Sequence, residues 1–380
     1  MTKHSDVKHL VYVITEDWFF ASHFLDRAIA AKNSGYKVSV VTRCRETAQQ
    51  LNAHGLIFED INFSRRGLNP ISELATIVRL RATLRRINPD FVHNIALKPV
   101  VLGSLAARFA GVRNVVNAPV GMGYVFTSNE SRARVLRPLV KKLIRYVLSR
   151  PNSKVIIENS DDYNNLVSGR FAKKESISLV KGAGVDTAKF KYTVEPEQPV
   201  KVIMVARLLR DKGIQEFIDA AEVVKQSNPS VKFLLVGDVD DGNPTSLNTK
   251  QLVELKNSES VEWLGARHDI AELLATSHIA CLPSYREGLP KSLIEAAAVG
   301  RAIVATDVPG CREVVTHLMN GLLVPPRDSK ALAAALLVLI NDPELRSKMG
   351  RENRSKAETE FANEIIIRQT QSVYDSFGQR

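Results

Sequence analysis

Short runs of β-branched and aliphatic residues alternate along this chain with longer stretches of helical periodicity, and the alternation restarts once. In the first half the strand runs are 8–14, 37–42, 56–60, 90–93, 113–117, 154–158 and 177–180. Helical patterns at about 20–33, 70–86, 97–109 and 133–149 separate them. Strands spaced by helices of this length pair in parallel through right-handed crossovers, which restricts the chain to the α/β class. Residues 190–199, FKYTVEPEQP, hold two prolines and no period, and read as a linker. Strand runs then resume at 200–205, 231–236, 260–264, 279–282, 302–306 and 321–324. Helical patterns fall at about 213–226, 247–257, 268–275, 290–299, 328–340 and 342–350. The pattern predicts two Rossmann-like, doubly wound domains: residues 1–190, a linker 191–199, and residues 200–352. A last helix is expected over about 353–376, in a C-terminal segment 353–380, with Phe361, Ile365, Ile366, Val373 and Phe377 near one face, able to cross back to the first domain. Ligands of such sheets bind outside the strand carboxyl ends.

Composition narrows the class further. The 380 residues are 44% hydrophobic and 24% charged, which suits ordinary globular domains and excludes disordered or collagen-like chains. Three cysteines, Cys44, Cys281 and Cys311, are too few for a disulfide framework or a zinc cluster. The apolar run Leu10 to Ile14 is too short for a signal peptide, and no stretch approaches about 20 apolar residues. The expected location is cytoplasmic, peripheral on the inner face of the plasma membrane. Net charge is +11, with 29 basic and 15 acidic residues in 1–190. The whole basic excess lies in the first half, which predicts an anionic partner there.

The segment PSYREGLPKSLIEAAA, 283–298, joins a strand to a helix. Pro290 suits a first helical turn. The N–H groups of Gly288, Leu289 and Lys291 can then point at an anion, which the helix dipole favours. Glu287 and Glu295 would lie roughly 12 Å apart along a helix axis if both were helical, too far to share a proton. That spacing suits two contacts on one extended ligand, or equally a helix-end acid and a solvated glutamate.

Glu287 and Glu295 match the E-x7-E pattern of retaining nucleotide-sugar glycosyltransferases. With CLPSYREGLPKSLIEAAAVGRAIVATDVPGCREVV, NGLLVPPRD and VARLLRDKG at 205–213, the chain resembles glycosyltransferase family 4, most specifically over about 200–330. The resemblance implies the GT-B fold, two Rossmann-like domains facing a central cleft. It implies that Arg207 and Lys212 clamp the donor diphosphate with Gly288, Leu289 and Lys291, and that Glu295 takes the ribose hydroxyls. Glu287 would be catalytic, beside the donor sugar. Trp263, Leu264 and Gly265 would form the base pocket, and Asp307 to Gly310 would line the same site. Trp263 as ordinary core is an equal alternative.

Other motifs carry less. Asp238-Val239-Asp240 in GDVDDG has the D-x-D form of a metal site, but it follows a strand and reads as a polar turn. No histidine pair has metal-ligand spacing. Neither a Rossmann dinucleotide fingerprint nor a P-loop occurs. No cofactor and no metal are expected, and the donor is read as a UDP-sugar.

On the acceptor side, Glu16-Asp17-Trp18-Phe19 replaces the glycine-rich loop of similar enzymes, with Asp17 and Trp18 as candidate acceptor contacts. Many relatives carry H-x-H where this chain has His93 and Ile95. Relatives also have a histidine in the stretch that is NAPVGMGYVF here, containing Gly121 and Gly123. His93 is the surviving candidate for a catalytic or acceptor contact, and Lys98 for a phosphate contact. Residues 131–157 hold eight Lys/Arg and no acid. Leu136, Val140, Leu143 and Val147 recur at helical spacing among Arg137, Lys141, Lys142 and Arg145, a basic amphipathic helix suited to anionic lipid. Arg79, Arg81, Arg85 and Arg86 form a second basic cluster. Nucleic acid is not expected, since no recognition module accompanies the charge.

The reading is a retaining, metal-independent glycosyltransferase that moves a hexosyl or N-acetylhexosaminyl group from a UDP-sugar to a lipid-linked sugar in surface polysaccharide synthesis. The alternatives are a nucleotide-sugar epimerase and a catalytically silent sugar-nucleotide-binding partner.

Overall fold

The computed structural model describes residues 7–45, 47, 51–63, 69–120, 131–197, 199–240 and 242–377. The chain divides into two compact units, one of Met1–Ala183 with Ile366–Arg380, the other of Gly184–Ile365. Among the described residues the first unit has seven strands: β1 (His9–Glu16), β2 (Lys37–Arg43), β3 (Ile57–Asp60), β4 (Phe91–Ile95), β5 (Asn114–Ala118), β6 (Ser153–Ile157) and β7 (Ile177–Leu179). Their order is β3-β2-β1-β4-β5-β6-β7, every pair parallel. Strand alternation sorts the core into two layers. Val11, Val13 and Val92 pack with Leu80, Leu84, Leu102 and Ala106 of the helices Pro70–Ile87 and Leu97–Ala110. Leu10, Tyr12 and Ile14 pack on the other face with Ala28, Ala31, Ile366, Val373 and Tyr374.

The second unit has β8 (Lys201–Val205), β9 (Lys232–Val236), β10 (Glu262–Trp263), β11 (Ile279–Leu282), β12 (Ala302–Thr306) and β13 (Gly321–Val324). Their order is β10-β9-β8-β11-β12-β13, again all parallel. Strand order reverses between β1 and β4 in the first sheet and between β8 and β11 in the second. These are the switch points at which doubly wound sheets hold ligands.

Three boundaries differ from the sequence expectation. The second unit begins at Gly184, ahead of the expected end at 190, and the described residues 191–197 are no loose linker. Val185 and Phe190 join the core of the second unit, Thr193 holds the buried guanidinium of Arg301, and Glu195 pairs with Arg346 at 3.1 Å. The expected helix over 353–376 is broken. The helix Pro343–Lys356 ends in a widened turn, Ala357–Phe361, and a new helix begins at Asn363. Ala362, extended at φ −58 and ψ 140, bridges Val185 between them. The break follows from two separate cores: Phe361 is buried in that of the second unit, and Ile366 in that of the first. The helix expected at 20–33 is two, Asp17–His23 and Leu25–Asn33, parted at Phe24. Two helices were not foreseen, Ser160–Ser168, capped by the Asn159 side chain on Asp162 N at 2.8 Å, and Pro309–Val314, opened by its proline.

Candidate active site

In the second unit two of the candidate residues meet at the switch point. The loop after β8 carries Lys212, and the loop after β11 carries Glu287. The Lys212 ammonium reaches the Glu287 carboxylate at 2.5 Å, with side chains 19% and 9% exposed. Backbone bonds lock the two loops together. Tyr285 N donates to the Asp211 carbonyl at 2.8 Å, and the Ser284 hydroxyl donates to the same carbonyl at 3.1 Å. Gly213, at φ +75, lies against the Pro283 carbonyl, where any Cβ would collide. Thr306 at the end of β12 donates to the Ser284 carbonyl. The Tyr285 hydroxyl donates to Glu216 at 2.6 Å, and burial, with this bond to a carboxylate, pushes its pKa up. Asp211, Ser284, Tyr285, Glu216 and Thr306 are site supports that the motifs did not single out. Glu216 stands in the first turn of its helix, where an acid is ordinary, so no motif marks it.

The helix after Glu287 runs Lys291–Val299, with Pro290 as its N-cap, so Glu287 lies outside it. The 12 Å helical separation from Glu295 therefore does not apply. Leu293 to Val299 are all buried, as an alanine-rich helix without a polar face allows. Glu295 sits in that buried stretch. Burial pushes its pKa up, while Lys291, at 3.5 Å, opposes the rise. Leu289 turns its side chain into the core. The Asp307 to Gly310 turn presses on the Glu287 loop. A Cβ on Gly310 would stand 2.5 Å from the Gly288 carbonyl oxygen.

Arg207 leaves β8 and pairs with Asp240 at 2.6 Å. This occupies the second acid of the D-x-D triplet with a guanidinium. The Trp263 indole donates to the Gly237 carbonyl at 2.8 Å, and Gly237 N donates to the Gly265 carbonyl at 2.9 Å. Trp263 and Leu264 pack on the core, so this tryptophan holds the β9 and β10 loop ends together.

In the first unit the structure corrects several expectations. His93 is fully buried and cannot touch a substrate. Its Nδ1 shares a hydrogen bond of 2.8 Å with the Tyr374 hydroxyl, which meets the Tyr12 hydroxyl at 3.0 Å. Asp17 is likewise buried, because both carboxylate oxygens accept backbone N–H groups, from Trp18 at 2.8 Å and Arg45 at 2.7 Å. It closes the turn after β1 and makes no acceptor contact. Trp18 remains half-buried, edge-on to Phe19. Lys98 pairs with Glu73 at 2.6 Å. Gly121 and Gly123 lie outside the described residues. The basic helix is Ser131–Leu148. Its described core face is Val140, Ile144, Val147 and Leu148 rather than Leu143, and Lys141, Lys142 and Arg145 are exposed. The side chains of Leu136 and Arg137 lie outside the described residues.

Burial, with the Arg27 charge nearby, pushes the His93 pKa down to about 3. The folded chain keeps this ring neutral, whereas an unfolded chain protonates it near pH 6.5. Stability therefore falls as pH drops from about 6.5 toward 3, by about 1.4 kcal/mol per pH unit from this group. Chemical denaturation at pH 7.5 and 4.5 should show wild type losing about 2–3 kcal/mol more than His93→Gln. Equal losses would refute the assignment.

Fold and site together define a class, the glycosyltransferases of GT-B fold. Residues 185–356 match the family described as glycosyl transferases group 1, and residues 9–160 match the glycosyl transferase 4-like family. Among its relatives is the N,N'-diacetylbacillosaminyl-diphospho-undecaprenol alpha-1,3-N-acetylgalactosaminyltransferase of Campylobacter jejuni, 30% identical over 91% of this chain and 93% of the relative. Another is the UDP-Gal:alpha-D-GlcNAc-diphosphoundecaprenol alpha-1,3-galactosyltransferase of Escherichia coli, 26% identical over 82% of this chain and 81% of that one. The crystal structure of Anabaena HepE in complex with UDP and glucose shares the fold, with a TM-score of 0.78 at 20% identity, covering 97% of this chain and all of that one. The chain belongs to the glycosyltransferase group 1 and 4-like family, and it is an enzyme of that class.

Proposed function

We propose that this glycosyltransferase moves a hexosyl or N-acetylhexosaminyl group from a UDP-sugar, with retention and without a metal, to a sugar carried on a polyprenyl diphosphate at a membrane surface. The observation that carries the donor side is the Lys212–Glu287 pair at the β8–β11 switch point. An ammonium has three donors, so Lys212 can hold Glu287 and a phosphate oxygen together. Arg207, fixed by Asp240, adds a planar fork suited to a second phosphate. These cations would stabilise the charge that develops on the leaving diphosphate, the work otherwise given to a metal. Glu287 would meet the sugar, and Glu295 the ribose hydroxyls. A UDP donor is supported by the UDP named in the E. coli relative and bound in the Anabaena structure. Both named relatives act on diphospho-undecaprenol-linked sugars and form alpha-1,3 links, the outcome of retention from an alpha-linked donor.

The test is a melting screen with UDP-, GDP- and ADP-sugars, followed by transfer to a detergent-solubilised polyprenyl-diphosphate sugar in excess EDTA. A UDP-sugar at about 100 times its Kd should add about 2.7 kcal/mol, a rise of several degrees, and transfer should persist in EDTA. No rise with any nucleotide sugar would sink the donor site, and loss of transfer in EDTA would sink the metal-free chemistry.

A further inference from the structure

The helix Pro70–Ile87 has an outward face that its own fold leaves uncovered. Ile71 is 79% exposed, Leu74 61% and Val78 54%, although Leu80 and Leu84 of the same helix are fully buried. Ile71, Leu74, Val78, Ala82 and Arg85 follow at steps of three and four, so they form one stripe, roughly 21 Å long. Phe109, 54% exposed, stands beside this stripe, since its carbonyl accepts from Arg81 Nε at 3.2 Å. Scattered apolar side chains need no explanation, but four large ones grouped on one helix pair do.

The charge around the stripe identifies what would cover it. Exposed Arg79 and Arg85 follow Val78 along the helix, and Arg81 flanks it. The neighbouring acids are turned elsewhere: Glu73 is paired with Lys98 at 2.6 Å, and Glu59 with Arg86 at 2.7 Å. Arg108, next to Phe109, lies over the Tyr146 ring of the basic helix Ser131–Leu148. The apolar stripe thus continues into the strongly basic surface of the same unit. A surface helix with an apolar side and arginines at its margin fits the boundary between headgroups and acyl chains, where each basic residue near anionic lipid adds about 1 kcal/mol.

We propose that Ile71, Leu74, Val78 and Phe109 insert into the headgroup layer of an anionic bilayer, with Arg79, Arg81 and Arg85 on the lipid phosphates. The basic helix Ser131–Leu148 then supplies long-range attraction, and the Pro70–Ile87 helix supplies the wedge. The inference deepens the membrane-linked acceptor proposed above and rests on that reading for its purpose. Its test contains no acceptor, so the two can fail separately.

The full chain is floated with phosphatidylglycerol/phosphatidylethanolamine vesicles and with phosphatidylcholine vesicles, at low and high salt. The comparison sets wild type against Ile71→Ser/Leu74→Ser/Val78→Ser and Arg79→Gln/Arg81→Gln/Arg85→Gln. All three positions of the first variant are solvent-exposed, so its melting temperature should match wild type. Wild type should bind the anionic vesicles, and each triple variant should bind them about ten-fold or more weakly. A Leu74→Trp variant should show a blue-shifted emission on vesicle addition, a signature of insertion that mere charge attraction does not produce. Wild-type binding unchanged in the serine variant, absence of binding by wild type, or no blue shift overturns the proposal. So does a wild-type dimer that the serine variant converts to monomer, since the stripe would then cover a second copy of the chain.

Discussion

Lys212→Ala should lower sugar transfer by about 10²–10³-fold, the cost typical of removing one preorganised donor from a developing anion. The change removes the ammonium that Glu287 holds at 2.5 Å, and it leaves that carboxylate only 9% exposed and without its cation. Two losses therefore coincide: the counter-charge proposed for the leaving diphosphate, and the tether that fixes Glu287. The melting screen should separate them, because the variant should also lose most of the stabilisation given by a UDP-sugar. Glu287→Gln should keep donor binding and lose transfer. The double variant should be little worse than the poorer single one, since paired groups acting as a unit are far from additive. Wild-type transfer by Lys212→Ala, within about three-fold, would remove this pair from the chemistry.

Gly310→Val should damage the same site from behind. A Cβ at Gly310 would meet the Gly288 carbonyl oxygen at 2.5 Å and the Glu287 carbonyl carbon at 2.9 Å. These are backbone atoms, with no flexible side chain to swing aside, so the Glu287–Gly288 turn must move. Overpacking of this kind costs about 1–3 kcal/mol. The melting temperature should fall by several degrees. A displacement near 1 Å at Glu287 should reduce transfer by about 10²-fold. Normal transfer by a folded Gly310→Val chain would show that the turn tolerates the shift, and that Glu287 is less tightly placed than its supports suggest.

Most of the fold is legible in the residues, because both periods are strong and each sheet is entirely parallel. The strand edges of β11, β12 and β13 coincide with the apolar runs at 279–282, 302–306 and 321–324. The linear motif around Glu287 is legible for a similar reason, since one strand, one turn and one helix place all its members. Pairings across loops are not. Arg207 finds Asp240 and Trp263 finds Gly237 only because β8, β9 and β10 are neighbours in the sheet. His93 shows the limit most clearly. Its match to the H-x-H of similar enzymes points to a site, but strand alternation turns it into the layer where Tyr374, 281 residues further on, closes over it. Asp17 is read wrongly on similar grounds, because its partner, the Arg45 amide, lies beyond β2.

The return of the chain through Ile366 to Asp375 sets an order on biosynthesis. The second unit is one continuous stretch, Gly184–Ile365, and can complete its core as soon as that stretch has left the ribosome. The first unit is made first, yet it lacks Ile366, Val373 and Tyr374, and with them the hydroxyl that holds Tyr12 and His93. Its sheet must wait, with one apolar layer open, until the other unit has been synthesised. The strands of the first unit, though made before the second unit, are therefore among the later parts of the chain to reach their final packing.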